Sequence, residues 1–168
     1  MTTILESRSV NAPLGSAPAY LRQYIREIFT EHKGRLPLSI AAPVRRSNGD
    51  SIALREDVVF DFAKMVTSYL LTGQSALAWR PVHGGGMIPS FSGHLTIAAD
   101  KSDDSCHLVL QGTYEPPLGA IGALFDAVVG KSIAHATAQR LVKRIGRRIE
   151  SMHLESINAN LHQNAART

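Results

Sequence analysis

Cysteine is almost absent from this chain, aromatic residues are few, and no apolar run is long. The one cysteine, Cys106, excludes an internal disulfide framework and any Cys-rich zinc site. Phe, Trp and Tyr make up 6% of the 168 residues, with Trp79 the sole tryptophan. The chain therefore lacks the aromatic interleaving of a single-strand nucleic-acid binder, and nucleic acid is not an expected partner. No apolar stretch approaches the roughly 18–20 residues that a membrane-spanning helix needs. The opening MTTILESRSV has no basic region followed by an apolar one, so it does not read as a secretory signal. Together with a lone free cysteine, this leads to the expectation of a cytoplasmic protein. HExxH, GxGxxG, phosphate-loop and GxSxG patterns are all missing, so neither a metal nor a cofactor is expected.

What is present suits one globular domain: 44% hydrophobic residues over a length that leaves little room for two. The net charge of +4 is small and locally concentrated. Arg140, Lys143, Arg144, Arg147 and Arg148 fall within nine residues, offset only by Glu150. On a helix such a run is most simply a solvated face. The functional alternative is an anion contact through Arg140, Arg144 and Arg147, including peripheral contact with an anionic membrane.

Hydrophobic periodicity divides the chain. Ile4–Ala12 reads as extended and stops at Pro13. Ser16 and Pro18 then open a helix to His32, with Ser16 as its cap and Leu21, Tyr24, Ile25, Ile28 and Phe29 at helical spacing. Leu36–Val44 reads as an edge or irregular strand because proline interrupts it, and Ser47–Asp50 as a turn. Phe60 and Phe62 alternate with Asp57 and Asp61, which places the two carboxylates on the solvent side of a strand. Leu77 and Trp79 share a face, and Arg80 points away from it.

Phe91, Gly93, Leu95 and Ile97 alternate against His94 and Thr96. Cys106, Leu108, Leu110, Gly112 and Tyr114 alternate against His107 and Gln111. Pairing Ile97 with Leu108 turns both apolar faces the same way, and a one-residue slip would not. That register sets His94 opposite Gln111 and His107 opposite Ala98, about 13 Å apart along the strands and too far to share a metal. From Leu118 the pattern is helical, with a break or bend at Gly130. A second piece follows whose stripe is Ala134, Ala138, Leu141, Val142, Ile145, Ile149 and Met152. His83-Gly84-Gly85-Gly86 is similar to the oxyanion loop of lipases but lacks a nucleophile elbow, so it reads as a loop.

The order is strand, helix, antiparallel strands and long helix, an α+β arrangement in which a curved antiparallel sheet grips a long C-terminal helix. A gap between sheet and helix would be walled by Phe60, Phe62, Leu77, Trp79, Phe91, Leu95, Leu110 and Tyr114, with Phe125 and Leu141 on the helical side. The chain resembles the START-like helix-grip superfamily, or SRPBCC, which includes polyketide cyclase-like and lipid-transport proteins. The resemblance rests on Ser9–Pro13, on Trp79–Pro81 with Pro89–Leu95, on Leu108–Gly119, and on the helix from Leu118 to Glu150. It implies one domain over residues 1–155, with 156–168 a frayed helix end or tail. Six strands are countable where seven are usual; a seventh would fall near Val66–Leu71.

The resemblance also implies binding or carriage of a hydrophobic small molecule or lipid, with no catalytic residue required. The alternative on the same scaffold is a metal-independent cyclase or dehydratase, for which Tyr114 is the candidate acid.

Overall fold

The computed structural model describes residues 2–32, 35–45, 51–61, 74–81, 90–115 and 127–165. The elements in chain order are β1 (Thr2–Val10), α1 (Ala17–His32), β2 (Arg35–Arg45), β3 (Ser51–Asp61), β4 (Gln74–Pro81), β5 (Ser90–Ala99), β6 (Cys106–Glu115) and α2 (Ala127–Ala165). The turn at 47–50, the glycine run at 84–86, Phe62, the stretch 66–73, Leu118 and Phe125 lie outside the described residues.

The six strands form one antiparallel sheet in the order β1-β6-β5-β4-β3-β2. Pro37 and Pro43 fall on β2, an edge strand, where a missing N–H donor is tolerated. Ile97 pairs with Leu108, His94 with Gln111 and His107 with Ala98, the register that the alternation dictates. The first strand closes the other edge by pairing with the last, from Thr2 opposite Tyr114 to Val10 opposite Cys106.

Helix α2 packs against β1 and β6 and also against β2, and α1 packs on α2 and β2. One helix reaches both edge strands of an open sheet only if the sheet curls around it. The architecture is therefore the helix-grip arrangement. The helical stripe from Ala134 to Met152 is buried along its length, against the buried sheet residues Ile4, Val10, Leu95, Leu108 and Leu110. An apolar seam at helical period meeting an apolar face at strand period is what holds the layers together.

Two local expectations are corrected. Helix α2 does not break at Gly130 but runs unbroken for 39 residues, about 58 Å. A glycine inside a helix costs only about 1 kcal/mol relative to alanine, too little to interrupt so long an element. At α1, the Ser16 carbonyl accepts the first helical bonds, from the N–H groups of Ala19 and Tyr20 at 2.9 and 3.2 Å. The Ser16 hydroxyl does not cap the first turn. It donates back to the Pro13 carbonyl at 3.2 Å, completing the turn that also uses the Ser16 and Ala17 N–H groups. Residues 156–165 continue α2, and from Ile157 onward they are exposed.

Candidate functional site

Alternation sends Ser75, Leu77 and Trp79 of β4 toward α2, together with Phe91, Gly93 and Leu95 of β5 and Leu110, Gly112 and Tyr114 of β6. Pairing arranges them in three rows across the sheet. Trp79, Phe91 and Tyr114 form one; Leu77, Gly93 and Gly112 the next; Ser75, Leu95 and Leu110 the third. The Trp79 and Phe91 rings stack at 4.0 Å with 9° between planes. The tip of the Phe91 ring reaches over the glycine pair, within 2.6 Å of where a Cβ on Gly93 and 2.5 Å of where one on Gly112 would lie. The same two positions bring β5 and β6 backbone atoms so close that a Cβ on either would collide with a carbonyl oxygen of the neighbouring strand. The three rows thus make one continuous apolar wall.

The wall is closed to water: Trp79 is 1% exposed, Phe91 3% and Tyr114 4%, and Leu141 of α2 is fully buried. Phe60 holds the register position opposite Trp79 on β3. Among the described residues, two hydroxyls belong to this face. Tyr114 makes no hydrogen bond among them. Ser75 Oγ is wholly buried and has no partner among them.

Among the described residues, β1 brings ionisable side chains to the sheet–helix layer. Ile4, Glu6, Arg8 and Val10 share its inner face, and the two ionisable members meet α2. Glu6 Oε1 lies 2.5 Å from His135 Nδ1. Arg8 donates to Glu150 at 2.9 Å and to the Lys143 carbonyl at 3.2 Å, and the Asn11 N–H donates to Glu150 at 3.3 Å. Gly146 makes room for this guanidinium, since a Cβ there would lie 3.1 Å from Arg8 Nε. Sequence reasoning missed these pairs. The available signal was the period-two placement of Glu6 and Arg8 between Ile4 and Val10.

The remaining candidates separate from the wall. Arg140, Arg144 and Arg147 are exposed on α2, and the first two have polar partners of their own. Arg148 turns to α1, where it pairs with Glu27 at 3.0 Å, and it also reaches Glu155 at 3.4 Å. His94 and Arg80 are exposed on the outer face. A hollow of about 490 Å³ lies there, lined by Ala76, Ala78, Ser92, His94, Gly112 and Thr113 among others. At the β5–β6 turn, Asp100 accepts from the Lys101 N–H at 2.7 Å, from Ser9 Oγ at 2.8 Å and from Ser105 Oγ at 3.0 Å, and it lies 3.0 Å from His107 Nε2. The Lys101 N–H and then the Ser9 hydroxyl, against a smaller opposing effect of burial, hold its carboxyl at about 2. Burial, and then the charges of Asp100 and Glu150, push the Cys106 thiol up, which disfavours the thiolate. No group of three His, Cys, Asp or Glu side chains poised for a metal occurs among the described residues, and no described helix is long and apolar enough to cross a membrane.

Neither a family model nor a curated protein matches the chain. Solved structures do. A Thermus thermophilus protein is 14% identical over 90% of this chain and 99% of its own, with a TM-score of 0.46. The di-domain aromatase/cyclase StfQ from the steffimycin biosynthetic pathway is 11% identical at a TM-score of 0.44; the match covers 94% of this chain and only 51% of that one. A START superfamily protein from Mycobacterium smegmatis is 12% identical over 86% of this chain and 97% of its own, at 0.39.

Proposed function

We propose that this protein binds an apolar small molecule or lipid between the inner sheet face and α2, and that it holds the ligand without transforming it. The observation that carries the reading is the buried aromatic row Trp79–Phe91–Tyr114, at whose end the phenol hydroxyl has no hydrogen-bond partner among the described residues. Apolar walls with a few polar handles are how small molecules are held. Catalysis ranks second. The Tyr114 hydroxyl is suited to donate a proton, but the ionisable groups found between sheet and helix among the described residues, Glu6, Arg8, His135 and Glu150, are already paired.

Because the wall is closed, binding must uncover it, and Trp79 reports the event as the only indole. Native mass spectrometry of freshly purified protein, with Trp79 fluorescence titrations against fatty acids and tricyclic aromatics, tests the reading. Co-purified ligand or saturable quenching supports it. An empty protein with an unresponsive Trp79 refutes it.

A further inference from the structure

Two polar side chains are buried outright among the described residues, Ser75 and Thr137. Thr137 satisfies itself by donating to the Ile133 carbonyl one helical turn back, at 2.8 Å. A strand offers Ser75 no such carbonyl, since its neighbours on the inner face are the side chains of Leu77 and, across the pair, Leu95. Its Oγ has no partner among the described residues. A buried hydroxyl in that state is destabilising, and buried polar groups are nearly always bonded. Alanine would fit the same position at no such cost, so packing does not explain the hydroxyl.

Its place in the wall suggests what does. The Ser75 row adjoins the Leu77–Gly93–Gly112 row, over which the Phe91 ring lies. A flat molecule seated on Trp79 and Phe91 and extending along the strands arrives at Ser75, with only apolar surface between.

We infer that the Ser75 hydroxyl donates a hydrogen bond to an oxygen of the bound molecule, so that the grip selects an apolar ligand bearing a carbonyl over its parent hydrocarbon. This rests on the binding reading above and adds to it the group that reads ligand chemistry. Tyr114, at the far end of the wall, is the handle for the opposite end of the ligand.

The test uses 9-fluorenone and fluorene, which share a planar tricyclic frame and differ by one carbonyl. Calorimetric titration of wild type and Ser75→Ala gives the ratio of the two affinities in each protein. The expected result is that the fluorenone-to-fluorene ratio falls about five-fold in the variant, the effect of one net hydrogen bond, while fluorene binds both proteins alike. Without ligand, Ser75→Ala should melt at a higher temperature than wild type, because it removes an unsatisfied hydroxyl. An unchanged ratio overturns the inference but leaves the binding reading intact if fluorene still binds. A lower melting temperature for the unliganded variant also overturns it, since the hydroxyl then has a structural partner. Failure of both probes to bind either protein overturns the two together.

Discussion

Arg8 and Glu150 lie 142 positions apart in sequence and meet at 2.9 Å, the guanidinium passing over Gly146 to reach the carboxylate. Both side chains are less than a third exposed, and the Asn11 N–H shares the same carboxylate. Replacing Glu150 with Gln removes the charge while keeping the shape. We expect a loss of about 2 kcal/mol in urea unfolding, the usual worth of a hydrogen bond to a charged group that is partly shielded from water. Gly146→Ala should act in the same direction, because its Cβ displaces Arg8; a variant as stable as wild type would show that the guanidinium yields freely.

Gly93→Ala and Gly112→Ala should each be severely destabilising, by about 3 kcal/mol or more, since each Cβ would collide with a backbone oxygen as well as the Phe91 ring. Phe91→Ala should relieve the ring contact but not the backbone one. The double variant Gly93→Ala with Phe91→Ala should therefore remain less stable than Phe91→Ala alone.

The Asp100 carboxyl sits at about 2, below its ordinary 3.8, so its contribution to stability is fully present above pH 4 and is lost as pH falls through 2. Wild type should lose more stability between pH 5 and 2 than Asp100→Asn, measured by urea midpoint at each pH. Equal slopes would mean that the turn at 100–105 does not depend on the ionised form.

Tyr114→Phe should leave the melting temperature of the unliganded protein unchanged or slightly raised, because the hydroxyl it removes has no partner among the described residues. On the binding reading it should also weaken a ligand only several-fold. A stability loss above about 1 kcal/mol would assign the phenol a structural bond instead.

The β5–β6 register was legible because two consecutive strands keep strict alternation, and a pairing slipped by one residue would turn Leu95 and Ile97 away from the face of Leu108 and Leu110. The α2 stripe was legible for the matching reason at helical period. The β1–β6 pairing was not, because nothing local in Thr2–Val10 names a partner about a hundred residues away. Glu6 and Arg8 share the period-two face of Ile4 and Val10, but what they meet there depends on His135 and Glu150 of α2. Trp79, Phe91 and Tyr114 were readable as members of one face. That Phe91 leans over two glycines, and that Ser75 is left without a bond, depend on the arrangement of three strands at once.

The closure of the sheet by its first strand has a kinetic consequence. Thr2–Val10 is made before the other described strands, yet its strand partner is the last of them to be made, and Arg8 finds Glu150 only after that. Until then Ile4 and Val10 lie on a strand with both edges bare and no cover. Contacts of such separation form slowly, and the waiting strand is available to other chains. Moving β1 to follow β6 through a short linker, as a rearranged chain of the same residues, should therefore speed refolding while leaving the final sheet unaltered.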